Sequence, residues 1–250
     1  MRGRGFRILL AAAVLFVAPL RGGPAAQELI ADLSRHLVAI TTGFAGTDVL
    51  LFGATEKAGD VIIVVVGPTR REIVRRKSRI AGLWVNDAKL AFKDVPSYYG
   101  LVASKPIETL LSAAAMRRHG IGIQYLSLNP ERQIDDNDLA EFRAGFLRYK
   151  ILNGLFTVRP RDVVFLGKRL FRSSIYFPAN VPTGTYTVKV FLVRDGRVVS
   201  AQTTPLVIAK VGVGADVYYF AHNSSVLYGI IAVVVALLAG LFAGVVFRKA

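Results

Sequence analysis

Residues 182–202 read PTGTYTVKVFLVRDGRVVSAQ, and the spacing inside this stretch decides the fold class. Tyr186, Val188 and Val190 recur at every second residue, which places them on one face of a strand. Asp195-Gly196 then supplies a two-residue turn, because both residues tolerate the positive φ at which a strand doubles back. The stretch predicts a β-hairpin, and the flanking runs SSIYFP (173–178) and PLVIAK (205–210) extend it. Together, residues 156–210 resemble the closing strands of an immunoglobulin-like sandwich.

The same texture returns upstream. Between residues 27 and 104, HLVAITT, TDVLLFGA, DVIIVVVG, REIVRRK, AGLWVN, KLAFKD and YYGLVAS follow one another at short intervals, separated by Gly, Pro, Asp and Asn. That rhythm predicts an antiparallel sandwich or barrel rather than βαβ units. VIIVVV (61–66) is apolar on both faces and suits a strand buried on both sides; REIVRRK (71–77) is dominated by charge and suits an edge or solvent-facing strand. Trp84, between Leu83 and Val85, is expected in the core, and at least one of Tyr98 and Tyr99 is expected to pack inward.

Residues 105–155 change period. Ser104 is expected to cap a helix that has Pro106 in its first turn, a face of Ile107, Leu110, Leu111 and Ala114, and an end at Arg117, Arg118, His119 and Gly120. A second helix is expected from an acidic capping box of Asp138 and Glu141, with Leu139, Phe142, Phe146 and Tyr149 along it and Asn153-Gly154 at its end. The predicted class is mainly β with a helical middle segment.

The termini place this region relative to a membrane. Arg2, Arg4 and Arg7 precede an apolar run and the small residues GGPAA, the order of a signal peptide over residues 1–25. Val226 to Phe247 holds no charge, and its 22 residues span about 33 Å as a helix, enough to cross a hydrocarbon core. Residues 211–225 read as a connector with Tyr218, Tyr219 and Phe220 at the interface, and 248–250 as a tail in which Arg248 and Lys249 stay cytoplasmic. The expected location is the inner membrane, single-pass, with the β-rich region in the periplasm.

Charge and composition narrow the function. The chain carries a formal +15; setting aside the six cations of the leader and tail leaves 26 cations against 17 acids, a net +9. A tethered basic domain is drawn to anionic lipid or acidic partners, and export removes nucleic acid as a partner. With no cysteine, there are neither disulfides nor thiolate chemistry. No GxSxG, Walker loop, GxGxxG or HExxH occurs, and His36, His119 and His222 are scattered. Asp135, Asp136 and Asp138 miss the spacing of an EF-hand and suit a helix start instead. We expect no catalytic residues, no metal and no cofactor.

Two sets of residues are candidates for interaction. Arg71, Arg75, Arg76, Lys77 and Arg79 form a basic strand that could meet an anion, a lipid surface or a partner protein. Ala232, Ala236, Gly240 and Gly244 recur every four residues along the apolar helix and would let another membrane helix approach closely, from a second copy or a polytopic protein.

The runs LSRHLVAITTGFAGTDVLLFGA (33–54), GDVIIVVVGP (59–68), VRRKSRIAGLWVN (74–86) and FKDVPSYYGLVAS (92–104) resemble an alphaproteobacterial family of transmembrane proteins of unknown function. The resemblance covers nearly the whole chain, including its C-terminal helix. It implies an accessory role beside a sulfite-exporter-type (TauE/SafE) permease and brings no active-site residues. The expectation is therefore a non-enzymatic, membrane-anchored partner of an integral membrane permease. The alternatives are a periplasmic module that binds or senses small anions, and an envelope protein that self-associates through its sandwich.

Overall fold

A computed structural model describes residues 28–157 and 161–247. The expected signal segment 1–25 and tail 248–250 lie outside the described residues.

Two sheets build the body. The first, in the order β1 (Leu29–Leu33), β3 (Gly46–Thr55), β11 (Leu170–Pro178) and β10 (Val164–Leu166), is antiparallel throughout. The second runs β2 (Leu37–Ile40), β13 (Arg197–Lys210), β12 (Gly184–Arg194), β4 (Asp60–Val66), β7 (Tyr99–Ala103) and β9 (Arg161–Asp162). Period-two patterning aims one face of each sheet at the other. Phe171, Ile175 and Phe177 of the first sheet and Tyr186, Val188 and Val190 of the second are all buried. The Phe177 ring stands edge-on to Tyr186, with centroids 5.7 Å apart. The Gln202 amide donates to the Ala31 carbonyl (2.7 Å) and accepts from the Ala31 N–H (2.8 Å), pinning edge strand β1 to β13.

The hairpin of residues 182–202 forms as its turn chemistry requires: Asp195 and Gly196 both have positive φ, 49° and 72°, and Arg194 pairs with Arg197. Tyr186 also donates its hydroxyl to the Pro182 carbonyl four residues back (2.5 Å), the device known in immunoglobulin-like sandwiches as a tyrosine corner. Val61 to Val65 are buried without exception, since β4 lies between β12 and β7 in the middle of its sheet. Helical segments cover its far face: His119 meets Phe191 at 5.5 Å.

The helical middle departs from expectation in its punctuation. Instead of one helix capped at Ser104 there are two short ones, α1 (Ile107–Leu110) and α2 (Ala113–His119), with an extended Leu111 between them. Ser112 is the cap of α2, accepting from the Ala115 N–H, while Ser104 donates to Asp60. Gly120 ends α2 in the left-handed region as anticipated (φ 66°). In α3 (Asp136–Leu152) the capping residue is Asp135, which accepts from the Asn137 N–H. Asp138 and Glu141 form no capping box; they bind Arg76.

A third sheet, β5 (Thr69–Ile80), β6 (Leu83–Pro96) and β8 (Asn129–Pro130), projects from the sandwich. It is a continuation of the second sheet. The β4–β7 ladder runs on through Gly67 N–H to Tyr98 O (2.9 Å) and Ser97 N–H to Pro68 O (3.0 Å) into the pairing of Thr69 with Pro96. A long ribbon thus leaves the sandwich and closes at Ala81 and Gly82, both at positive φ. The segment expected to be a connector is helix α4 (Val213–Asn223), followed by α5 (Ser225–Phe247). Helix α5 is the single candidate membrane span among the described residues, so the fold is a β-sandwich plus one apolar C-terminal helix.

Candidate functional site

The ribbon owes its two dissimilar faces to strand alternation. Along β5, Glu72, Val74, Arg76 and Ser78 are half-buried, while Arg71, Ile73, Arg75, Lys77 and Arg79 are exposed. On β6, Leu90 and Phe92 turn inward. Helix α3 lies on this inner face with Phe142, Phe146 and Lys150, spaced by four residues, buried against it. Phe146 packs on Phe92 with centroids 6.1 Å apart and edge-on to Phe156 at 5.8 Å. The Lys150 ammonium is buried and bonds the Glu72 carboxylate at 2.7 Å.

The five basic-strand candidates separate into two kinds. Arg71 and Arg76 hold the ribbon together. Arg71 makes a two-pronged contact with Glu131 just after β8 (2.6 and 2.8 Å), which raises the guanidinium pKa and lowers that of the carboxylate. Arg76 bonds Glu141 (2.9 Å) and Asp138 (3.0 Å) and approaches Asp87 (3.4 Å); these acids raise its pKa further. Its guanidinium also lies 5.8 Å over the Phe142 ring. Both arginines thus already have carboxylate partners within the protein.

Arg75, Lys77 and Arg79 form the second kind. They share the outer face with Lys89, which is the cross-strand partner of Arg75. Arg79 donates to the Gly82 carbonyl at the turn (3.2 Å). No salt bridge joins any of the four to an acid among the described residues.

Beyond Arg76 the helix no longer backs the ribbon, and the tip is apolar. Ile80, Leu83 and Trp84 are 57%, 71% and 69% exposed. Trp84 is therefore not in the core, contrary to expectation: it stands opposite Arg79, two residues after the turn, where no second layer among the described residues covers it. The sequence signal was Ala81-Gly82 between two β-prone runs, which marks a hairpin turn rather than a break between separate strands. Tyr98 and Tyr99 are both buried. The Tyr99 hydroxyl donates to the Gly120 carbonyl (2.9 Å) and accepts from the Gly122 N–H (2.7 Å); burial pushes its pKa up to about 12.

On α5, Ala232, Ala236, Gly240 and Gly244 are exposed, and a methyl group added at Gly240 or Gly244 would meet nothing within 4 Å. Among the described residues no group of His, Asp and Glu is arranged to hold a metal. Asp135 caps α3 and Asp138 binds Arg76 instead.

A family model described as "Putative transmembrane protein" (Alph_Pro_TM) matches residues 28–249, which include the sandwich, the ribbon and helix α5. Comparison with curated proteins finds no match.

Proposed function

The chain belongs to the Alph_Pro_TM family of transmembrane proteins, and from that membership we propose a single-pass accessory protein of the inner membrane, non-enzymatic, with its sandwich in the periplasm and its helix paired with an integral membrane protein. The observation that carries this reading is α5 itself. Its residues with described side chains are all exposed, although the helix has the composition of a membrane span. Lipid or a second membrane helix must therefore cover it. Ala232, Ala236, Gly240 and Gly244 offer the face on which backbones can come close, where dispersion is the main attraction. The sulfite-exporter-type permease implied by the sequence resemblance is the partner class we propose.

The test is co-purification of the full chain from membranes in mild detergent, with the bound proteins identified. A permease should be recovered with the wild type and lost with Gly240→Ile/Gly244→Ile. Recovery unchanged by the substitution refutes the helix-packing part, and recovery of no membrane protein refutes the partner role.

One observation favours self-association as a second reading. Ile30 (56% exposed) and Leu170 (54%) flank Ala54 in register on the outer face of the first sheet, next to Phe52 (46%). Sedimentation of a helix-free chain tests it, and a strict monomer excludes it. The small-anion reading is left with Arg75, Lys77 and Arg79, because Arg71 and Arg76 already hold carboxylates.

A further inference from the structure

We infer that the tip of the β5–β6 ribbon docks on the anionic bilayer in which the chain's own helix is anchored, Ile80, Leu83 and Trp84 entering the headgroup region and Arg75, Lys77, Arg79 and Lys89 lying against lipid phosphates. The inference rests on the membrane anchor of the proposed function and adds a second attachment to the same membrane.

Three observations converge on it. The first is chemical order along the ribbon. An exposed apolar tip, which includes the chain's single tryptophan, is followed by cations with no acidic partner among the described residues; Trp84 shares their face through its pairing with Arg79, while Ile80 and Leu83 pair with each other on the opposite face at the end of the ribbon. Tryptophan and aliphatic residues favour the interface, and each nearby cation adds attraction to an anionic surface. A protein groove could accept the apolar tip, but it would not require a row of unpaired cations behind it.

The second observation is where the ribbon leaves the sandwich. Thr187 pairs with Val66, Val66 with Tyr99, and Gly184 with Ile208. The end of β4, the start of β7, the start of β12 and the end of β13 therefore lie at one end of the second sheet. From that end the ribbon departs through Gly67 and Pro68, and from that end the chain continues past Lys210 into α4 and α5. Arg70 fixes the ribbon base there, donating to the Thr183 carbonyl (2.8 Å).

The third is reach. Helix α4, about 16 Å long, and the non-helical Val211, Gly212 and Ser224 separate the sandwich from the anchor by at most about 27 Å, whereas β5 spans about 36 Å. The ribbon exceeds even that maximal gap. It is also stiff: α3 clamps it as far as Arg76 through Lys150–Glu72 and the Asp138 and Glu141 contacts.

Because Trp84 is the only tryptophan, its emission reports on the tip directly. The full chain is reconstituted into lipid nanodiscs of phosphatidylcholine with or without phosphatidylglycerol, and Trp84 quenching by bromine-labelled acyl chains is read. Flotation of the chain with the discs reports the α5 anchor separately. The expected result is a blue-shifted, quenched emission in the anionic discs. Removing cations singly and together (Arg75→Gln, Lys77→Gln, Arg79→Gln) should lower the docked-to-free ratio about fivefold for each charge. Ile80→Ser/Leu83→Ser should abolish the blue shift with the thermal transition unchanged. A chain that floats but keeps a water-like, unquenched Trp84 overturns the docking and leaves the anchor standing. Quenching that is equal in neutral discs and insensitive to the three substitutions overturns it too, as does quenching that requires an added membrane protein. A chain that does not float removes the anchor and the inference together.

Discussion

The buried Lys150 ammonium meets the Glu72 carboxylate at 2.7 Å, and this pair ties α3 to the ribbon near its root. The ammonium also lies 5.4 Å from the Phe146 ring centre and 6.0 Å from that of Phe156, so its charge is surrounded by a carboxylate and two ring faces. Removing one partner of such a pair strands a charge out of water. Glu72→Leu is expected to destabilise by about 3 kcal/mol, the low end for a buried pair because Glu72 keeps some exposure. Lys150→Met with Glu72→Leu should recover most of that loss. Urea unfolding of the single and double variants measures both, and a double variant no better than the single refutes the pairing argument.

Acid should loosen the same ribbon from its other side. The Arg71 guanidinium holds the Glu131 carboxyl below its ordinary value, so Glu131 contributes stability above the unfolded carboxylate pKa. That contribution fades as pH falls through the ordinary carboxylate range toward the lower folded value. Wild type should therefore melt higher than Glu131→Gln at neutral pH and converge with it in acid. A gap independent of pH would mean that the clamp is steric and not ionic.

Tyr99 makes the opposite prediction at the alkaline end. Its hydroxyl is raised to about 12 by burial, so its stabilisation is complete below the unfolded value near 10 and disappears as pH rises through the folded one. Tyr99→Phe leaves the Gly120 carbonyl and Gly122 N–H without this partner and should cost about 1–3 kcal/mol. Chemical denaturation at neutral pH reads the cost. The phenylalanine variant should also lose less stability than wild type as the pH approaches that of tyrosine ionisation.

The two ends of β6 should respond very differently to truncation. Phe92 is fully buried against Phe146, and Phe92→Ala is expected to cost about 3–5 kcal/mol. Trp84→Ala removes a larger side chain from an exposed position and should change stability by no more than about 0.5 kcal/mol. Thermal melts of the two variants decide it; a large loss at Trp84 would place the tip against a part of the protein itself.

Much of the β framework was legible because its signals are local. Asp195-Gly196 marks a turn on chemistry alone, and the alternation of Tyr186, Val188 and Val190 names the inward face before any partner strand is known. The failures lie where a residue's role depends on distant chain. Asp138 and Glu141 have the spacing of a capping box, but Arg76, more than 60 residues away, outcompetes the backbone for them. Ser104 likewise is drawn to Asp60, so α1 starts behind Pro106 with no side-chain cap and Ser112 caps α2. Of the basic strand, charge was readable, but the division into two clamping arginines and an outward row was not.

By itself the sequence determined the strand-rich class, the apolar C-terminal helix and the excess of positive charge, because period, length and composition are properties of short stretches. Tertiary structure alone decided that Trp84 is exposed at a ribbon tip, that Arg71 and Arg76 are occupied, and that the ribbon and the anchor leave one end of the sandwich. Each of these depends on which strand pairs with which and on where a second layer of chain runs out. No window of neighbouring residues contains that information.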